Sequence, residues 1–327
     1  MSPILTPLFT VIFMMLLGSL VQKIKRLPAN TDLVLNQYVY YVAFPSIMLI
    51  VLAKTPINEI LQWGFIAGYS LAMMITYLLV ILISNLTNKG RADLAALRAL
   101  NTTFGNTAFI GMPMLTMLFP KQSSALTAAA IASLLSVIIF ALALVSIELY
   151  QKKVTGVKKE VEQYSPLFTI ILSLMHNPVV IGSSIGILLS ATQFELFDPL
   201  SIALKQIGMT STPCALFAIG MVLAKVNTHQ DTPDNKKSLC NTIIELSWIN
   251  LAKLFIQPVL AYVLLSAFNV KGDYFIMGVL LAALPTAASV FLLADRYQIK
   301  VVMSAQAIML GTILSMLTLP LIENVLH

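Results

Sequence analysis

The sequence has very little charge for its length. Only 10% of its 327 residues are charged, whereas 58% are hydrophobic, and the mean hydropathy is +0.88. An ordinary soluble domain carries about 25% charged residues, so these residues are too few to cover a water-facing surface. Because long apolar runs in lipid must satisfy their own backbone groups, the composition predicts an all-α membrane protein.

Cysteine and catalytic motifs are nearly absent as well. Cys214 and Cys240 are the two cysteines, and neither lies in a metal-ligand spacing. No His/Glu zinc spacing, nucleophile elbow or phosphate-binding loop is present. We therefore expect no enzymatic activity, no cofactor and no metal, and an ATP-driven pump is excluded for this chain alone.

Ten apolar runs are long enough to span a bilayer. A charged connector at residues 151–165 separates five runs in residues 1–150 from five in residues 166–327, so we predict two five-helix repeats. The runs lie near residues 3–22, 33–53, 64–86, 94–118, 124–149, 167–191, 199–224, 242–268, 273–294 and 300–323.

Lysine and arginine are distributed unequally between alternate loops. One set of loops holds fourteen of them, and the other holds three, at Lys54, Lys121 and Lys271. Cytoplasmic loops retain positive charge, so we expect both termini and those three lysines on the extracytoplasmic side. The net charge of +6 is explained by this topology, and we predict no nucleic-acid partner.

Two of the ten runs are interrupted by helix-breaking residues at matching places. The fourth carries Gly111 and Pro113 after a polar stretch, and the ninth carries Pro285. Five spans per repeat require opposite orientations, and such inverted repeats place the substrate at broken helices near the bilayer midplane. We predict that helices four and nine are broken and cross there; the alternative is an ordinary proline kink in each.

Polar side chains cluster at both breaks and are candidate substrate ligands. A carboxylate leaving water needs hydrogen-bond donors in exchange, and a half-helix that starts at the break adds free N–H groups. The alternative for such residues is a hydrogen bond between helices. The candidates are Asn101, Thr102, Thr103, Asn106, Thr107, Thr286 and Ser289.

Lys253 is the most central cation in the predicted spans, and an intramembrane charge indicates a function. It either neutralises an anionic substrate or pairs with Glu245, eight residues earlier. Arg98, one turn before the first break, is a second candidate for facing a cavity.

Several short motifs resemble the auxin efflux carrier family. This resemblance implies ten spans in two inverted repeats, a support face against a mobile crossover face, and transport of organic anions; it also places a carboxylate-binding asparagine on Asn106. Val290 departs from the family pattern, since plant carriers have a second proline there. The motifs are Phe44-Pro45-Ser46, Asn106 to Pro113, Asn177-Pro178, Leu216 to Met221, Leu284-Pro285 and Ala294 to Tyr297.

These observations predict a secondary transporter of small organic anions that works by alternating access. Its substrates would be carboxylates, including dicarboxylates or auxin-like acids, because bacterial members of this length resemble malate and malonate permeases. An anion channel or a membrane-embedded anion sensor is the alternative. We expect it in a bacterial inner membrane, with lipid as its other partner; H⁺ or Na⁺ coupling and a homodimer are left open.

Overall fold

The computed structural model describes residues 4–28, 30–54, 62–87, 90–119, 123–155, 178–226 and 235–326. Most of the predicted connector lies outside these ranges, as does the first part of the sixth predicted span with Asn177. The division of the chain at residues 151–165 therefore stays a prediction.

Every regular element in the described ranges is helical, which confirms the predicted class. The helices are α1 (Leu5–Ile24), α2 (Thr31–Tyr38), α3 (Phe44–Ala53), α4 (Trp63–Thr87), α5 (Ala92–Thr103), α6 (Met112–Leu118), α7 (Ser123–Thr155), α8 (Pro178–Thr192), α9 (Asp198–Met209), α10 (Ser211–Val226), α11 (Asn235–Leu251), α12 (Gln257–Ala267), α13 (Asp273–Ala282), α14 (Ala288–Tyr297) and α15 (Val301–Leu326).

Seven helical segments in the described ranges are long and apolar enough to cross a membrane. Two shorter apolar helices, Val180–Thr192 and Asp273–Ala282, accompany them. The count of ten spans and the inverted repeat remain predictions beyond this finding. The seven segments are Leu5–Ile24, Thr31–Ala53, Trp63–Thr87, Thr127–Gln151, Asp198–Lys225, Thr242–Ala267 and Val301–Leu326.

Two of these seven segments and the fourth predicted span each contain a π-helical turn, and each turn leads into a helix whose second residue is proline. A proline ring clashes with the carbonyl four residues earlier and donates no hydrogen bond. In all three cases that carbonyl lies inside the wider π-helical turn, which makes room for the ring. The turns and prolines are Val39–Ala43 with Pro45, Thr107–Gly111 with Pro113, and Ala252–Ile256 with Pro258.

The helices pack as two bundles. In the first bundle α1 packs on α10, and α3 packs on α8 and α9. Gly18 and Gly220 bring α1 and α10 together: a Cβ atom on Gly18 would lie 2.0 Å from Phe217 O, and one on Gly220 would lie 1.9 Å from Met15 O. The second bundle holds α4 to α7 and α11 to α15, with α5 packed between α4 and α7.

Polar contacts join the two bundles at the end of α14, and we call them the inter-bundle contact. Asn36 Nδ2 of the first bundle donates to Asp295 Oδ2 at 3.0 Å. The Arg296 guanidinium donates to the Tyr41 hydroxyl and lies 4.9 Å from the ring centre of Tyr40. At the end of α14 the bundles are therefore joined by polar contacts, of which the Asn36–Asp295 bond is half-buried and the Arg296–Tyr41 bond is exposed. Helix packing of α1 and α10 against α15 joins them further along.

Candidate functional site

The two breaks lie against each other and pair through their backbones. Gly105 and Thr286 form an antiparallel bridge, in which Asn106 N donates to Pro285 O at 2.9 Å. In the opposite direction, Ala287 N donates to Phe104 O at 3.0 Å, which completes the bridge. Backbone groups freed by a broken helix must find partners at membrane depth, and here each break supplies the partners of the other. The structure thus brings the two predicted breaks together at one crossing.

Thr286 and Asn101 hold the crossing on one side. Thr286 Oγ1 donates to Asn101 O at 2.6 Å, which satisfies a carbonyl in the last turn of α5. The Asn101 amide donates to Leu97 O at 3.0 Å and to Ser304 Oγ at 3.2 Å. These bonds link α5 directly to α15 and also to the broken segment of the ninth predicted span.

Thr102 and Thr103 turn their hydroxyls away from the break. Both donate to Ala99 O, at 2.8 and 2.7 Å respectively. The Thr103 carbonyl, at the C-terminus of α5, accepts a 3.2 Å hydrogen bond from Gln257 Nε2. In this conformation the two threonines therefore stabilise the end of α5 and do not offer donors to a ligand.

Lys253 holds the end of the other half-helix. Its Nζ donates to Ala282 O, the C-terminal carbonyl of α13, at 3.0 Å, and to Gln257 Oε1 at 2.5 Å. A cation at a helix C-terminus is favoured by the helix dipole. A Cβ atom on Gly105 would lie 3.3 Å from Lys253 Nζ, so the amino group sits directly behind this glycine.

The alternative that Lys253 pairs with Glu245 is wrong. Glu245 instead pairs with Arg98 of α5: the Nε and Nη2 atoms of Arg98 each lie 2.7 Å from Glu245 Oε1. Lys300 Nζ lies 3.6 Å from Glu245 Oε2. Arg98 also donates to Ser84 Oγ at 2.9 Å. A position in the same predicted span suggested Lys253 as the partner, but Arg98 of α5 and Lys300, just before α15, are the cations that lie against Glu245. Arg98 is therefore a structural residue and does not line the cavity described next.

A cavity of about 40 Å³ lies beside the crossing, between the bundles. Its walls come from the π-helical turn Val39–Ala43, from both breaks, and from the helices α3, α7, α10 and α14. The lining residues are Val39, Phe44, Met48, Phe104, Gly105, Asn106, Thr107, Ser133, Ser136, Ser211, Thr212, Ala215, Ala287, Ala288, Ser289 and Leu292.

Three of the predicted ligands line this cavity: Asn106, Thr107 and Ser289. They come from both breaks, so the cavity is built from both halves of the chain. The crossover residues Gly111, Pro113 and Pro285 shape the breaks from outside the cavity. The other candidates surround the crossing without lining the cavity, namely Asn101, Thr102, Thr103, Thr286 and Lys253.

Four hydroxyl residues in the cavity wall were not among the sequence candidates. Ser133 and Ser136 lie one turn apart on α7 and donate to carbonyls of their own helix, at 2.8 and 2.7 Å. Ser211 and Thr212 begin α10, and the buried Ser211 Oγ has no hydrogen-bond partner in the described part of the chain. The dipeptide Ser211-Thr212 before Pro213 was the available signal, since it interrupts an apolar span.

The cavity wall is mostly apolar, with several amide and hydroxyl side chains and no charged one. None of its lining residues is acidic or basic. The first N–H groups of α14, beside Ser289, have no partner inside their own helix, and a helix N-terminus attracts an anion. This wall can receive a carboxylate through neutral donors. No group of three or more His, Cys, Asp or Glu residues that could hold a metal occurs within the described ranges.

A larger polar cleft of about 670 Å³ opens between α3, α8 and α9. Lys54, Glu195 and Asp198 are among its lining residues. None of the residues around it belongs to either break. We therefore take the cavity at the crossing, and not this cleft, as the candidate site.

Known proteins resemble this chain along almost its whole length. The family described as "Membrane transport protein" matches residues 3–323. A protein of Rhizobium meliloti (strain 1021) that bears the name "Putative malonate transporter" is 25% identical over 313 residues, which make up 95% of this chain and 91% of that protein. The family match confirms the resemblance drawn from the sequence motifs.

Proposed function

The chain belongs to the membrane transport protein family, and from this premise we propose that it is a secondary transporter of small organic anions. The observation that carries the proposal is the cavity at the crossing of the two breaks, lined by Asn106, Thr107 and Ser289. Broken helices that meet at membrane depth are the usual substrate sites of such transporters. The carboxylate would lie between these side chains and the N-terminus of α14.

The size of the cavity supports an alternating-access mechanism. A water molecule needs about 10–15 Å³ of such space, so a cavity of about 40 Å³ admits roughly three waters. A dicarboxylate is larger than that and requires the walls to separate. Because the walls come from both bundles, a movement of one bundle against the other would widen the cavity and expose it.

We propose malonate or a similarly small dicarboxylate as the substrate. The support is the name of the Rhizobium meliloti relative, together with a cavity whose hydroxyl residues lie on several sides. Ser133 and Ser136 line it from α7, and Ser211 and Thr212 line it from α10. A substrate with polar groups at both ends fits such a wall better than one with a single polar end.

Transport assays with one matched pair of variants test this function. Purified protein in proteoliposomes should take up labelled malonate, and preloaded unlabelled malonate should accelerate that uptake by counterflow. Asn106→Ala should lower the affinity at least about tenfold, because hydrogen bonds to a charged group contribute about 1.5–3 kcal/mol. Asn85→Ala, an exposed asparagine at the end of α4, is the control and should transport normally.

Two results would contradict the proposal. Wild-type uptake without saturation or counterflow would indicate a channel, and binding without any flux would indicate a sensor. Unchanged transport by Asn106→Ala would remove this residue from the site.

The proposed orientation places both termini outside the cytoplasm, in a bacterial inner membrane, with two inverted repeats. The support is the unequal distribution of lysine and arginine between alternate loops. In a variant without Cys214 and Cys240, a cysteine at position 327 should react with an impermeant reagent on intact cells, and one at position 157 should not. The reverse pattern would contradict the five-plus-five arrangement.

A further inference from the structure

We propose that the cavity binds its dicarboxylate as a monoanion, with one carboxylate ionised and the other carboxyl protonated and hydrogen-bonded to Ser211. This inference rests on the proposed function and specifies the ionic form of its substrate. It also gives a role to Ser211, which belongs to neither break.

The charges around the cavity balance one negative charge and not two. The wall itself has no ionisable residue. Lys253 lies behind Gly105, outside the wall, and can contribute at most one positive charge. Its Nζ already donates to Gln257 Oε1 and Ala282 O, so it compensates an anion from a distance and does not bind a carboxylate directly.

The other charged groups near the crossing are already paired within the protein. On α5, Arg98 is bonded to Glu245 of α11, which Lys300 also approaches. On α14, one turn beyond the wall residue Leu292, Asp295 and Arg296 are engaged in the inter-bundle contact. A second carboxylate in the cavity would therefore be a buried charge without a partner, which costs several kcal/mol or more.

Ser211 supplies what a protonated carboxyl needs. Its side chain is 2% exposed, it lines the cavity, and its Oγ has no hydrogen-bond partner in the described part of the chain. A buried hydroxyl without a partner costs free energy, so an unpaired one in a cavity wall indicates a ligand. A serine hydroxyl both donates and accepts, so Ser211 can accept from the OH of a carboxylic acid and donate to the carbonyl oxygen of the same group. The shortage of positive charge around the cavity selects the protonated form, and Ser211 provides its hydrogen bond.

Binding measurements at several pH values, on purified protein in lipid nanodiscs, test the inference. The two ligands are malonate and malonamate, its monoamide, which carries one negative charge at every pH used and keeps an N–H donor. Above the second pKa of malonic acid, the fraction of malonate present as the monoanion falls about tenfold for each pH unit. The apparent Kd of malonate should rise by the same factor, while the Kd of malonamate should stay constant.

The measurements with malonamate show whether the pH dependence comes from protonation of malonate or from protonation of the protein. If a protein group such as Lys253 caused the pH dependence, both ligands would show it. A Kd for malonate that does not change with pH, with malonamate bound weakly or not at all, would overturn the inference and leave the proposed transport of malonate intact. Absence of binding for both ligands, by a folded protein, would overturn the proposed substrate and this inference together.

A pair of serine variants tests the role of Ser211. Ser211→Ala removes no bond within the described protein, so it should fold normally and bind malonamate about three- to tenfold more weakly. Ser315→Ala is the control, because Ser315 is equally buried but already donates to Thr312 O at 2.7 Å on α15; its Kd should not change. Equal affinity of Ser211→Ala and wild type for malonamate would contradict the hydrogen bond to Ser211.

Discussion

Lys253 Nζ lies 3.0 Å from the carbonyl oxygen of Ala282, the last residue of α13. The half-helix that leads into the second break therefore ends on a lysine from the neighbouring span. Gln257, one turn after Lys253, bonds the last carbonyl of the other half-helix, that of Thr103. One short segment of a single span thus holds the ends of both half-helices.

Lys253→Met should destabilise the fold. The substitution leaves Ala282 O buried without its donor, so the free energy of unfolding should fall by about 1–3 kcal/mol. Thermal unfolding in detergent measures the change, and Lys205→Met, at an exposed lysine on α9, is the control. A stable Lys253→Met protein that has lost substrate affinity would instead assign the residue to direct substrate binding.

Glu245→Gln should also destabilise the fold, through a different pair. Arg98 and Glu245 side chains are 7% and 10% exposed, and removal of one partner of a buried ion pair costs about 3–5 kcal/mol. Arg98→Met combined with Glu245→Leu should recover much of that loss, because no buried charge is then left alone.

Thermal unfolding also tests the alternative that Glu245 pairs with Lys253. Lys253→Met added to Glu245→Gln should not restore stability, since Glu245 is paired with Arg98 and Lys300, whereas Lys253 bonds to Gln257 and to Ala282 O. Recovery in that double variant would contradict the pairing with Arg98.

Gly220→Ala should separate α1 from α10. The added Cβ would lie 1.9 Å from the backbone oxygen of Met15, and backbone cannot move aside as a flexible side chain can. We expect a loss of at least about 1–3 kcal/mol in thermal or denaturant unfolding. Ala203→Val, at an exposed position on α9, enlarges a side chain without such a contact and should change little.

Arg296→Gln should weaken the inter-bundle contact. An exposed cation over an aromatic ring contributes about 0.5–1 kcal/mol, which corresponds to a two- to fivefold change in the fraction of molecules whose bundles are separated. In a variant without Cys214 and Cys240, a cysteine at Ser289 should react correspondingly faster with a thiol reagent applied from the side of Asp295. An unchanged rate would show that this contact does not limit access to the cavity.

The helical class and the two breaks could be predicted from sequence because both depend on local chemistry. Apolar runs indicate spans, and Pro285 or Gly111 with Pro113 prevents a regular helix wherever it occurs. The direct pairing of Gly105 with Thr286 follows the same logic, since groups freed at membrane depth need partners.

The contents of the cavity wall could be predicted only in part. Asn106, Thr107 and Ser289 lie next to helix breakers, whereas Ser133 and Ser136 lie in an uninterrupted apolar helix. A serine in a membrane helix can bond to its own backbone, as both do, so its presence alone indicates no site. Their position in the wall depends on how α7 packs against the crossing, which no local pattern records.

The ion-pair partner of Glu245 could not be predicted from the sequence, because that partner lies on another helix. Glu245 lies two turns before Lys253, and one-helix spacing favoured that pair. The partner that occurs, Arg98, is 147 residues away in the chain. A sequence without aligned relatives gives no measure of such distant contacts.

The small size of the cavity has a consequence for the membrane's electrical state. Roughly three waters, bordered in part by apolar residues such as Phe44, Phe104 and Leu292, span only a small part of a bilayer core about 30 Å thick. Protons move through membranes along continuous files of water, and this cavity by itself is too short to be one. Water held in the site therefore does not by itself dissipate the proton gradient of the cell.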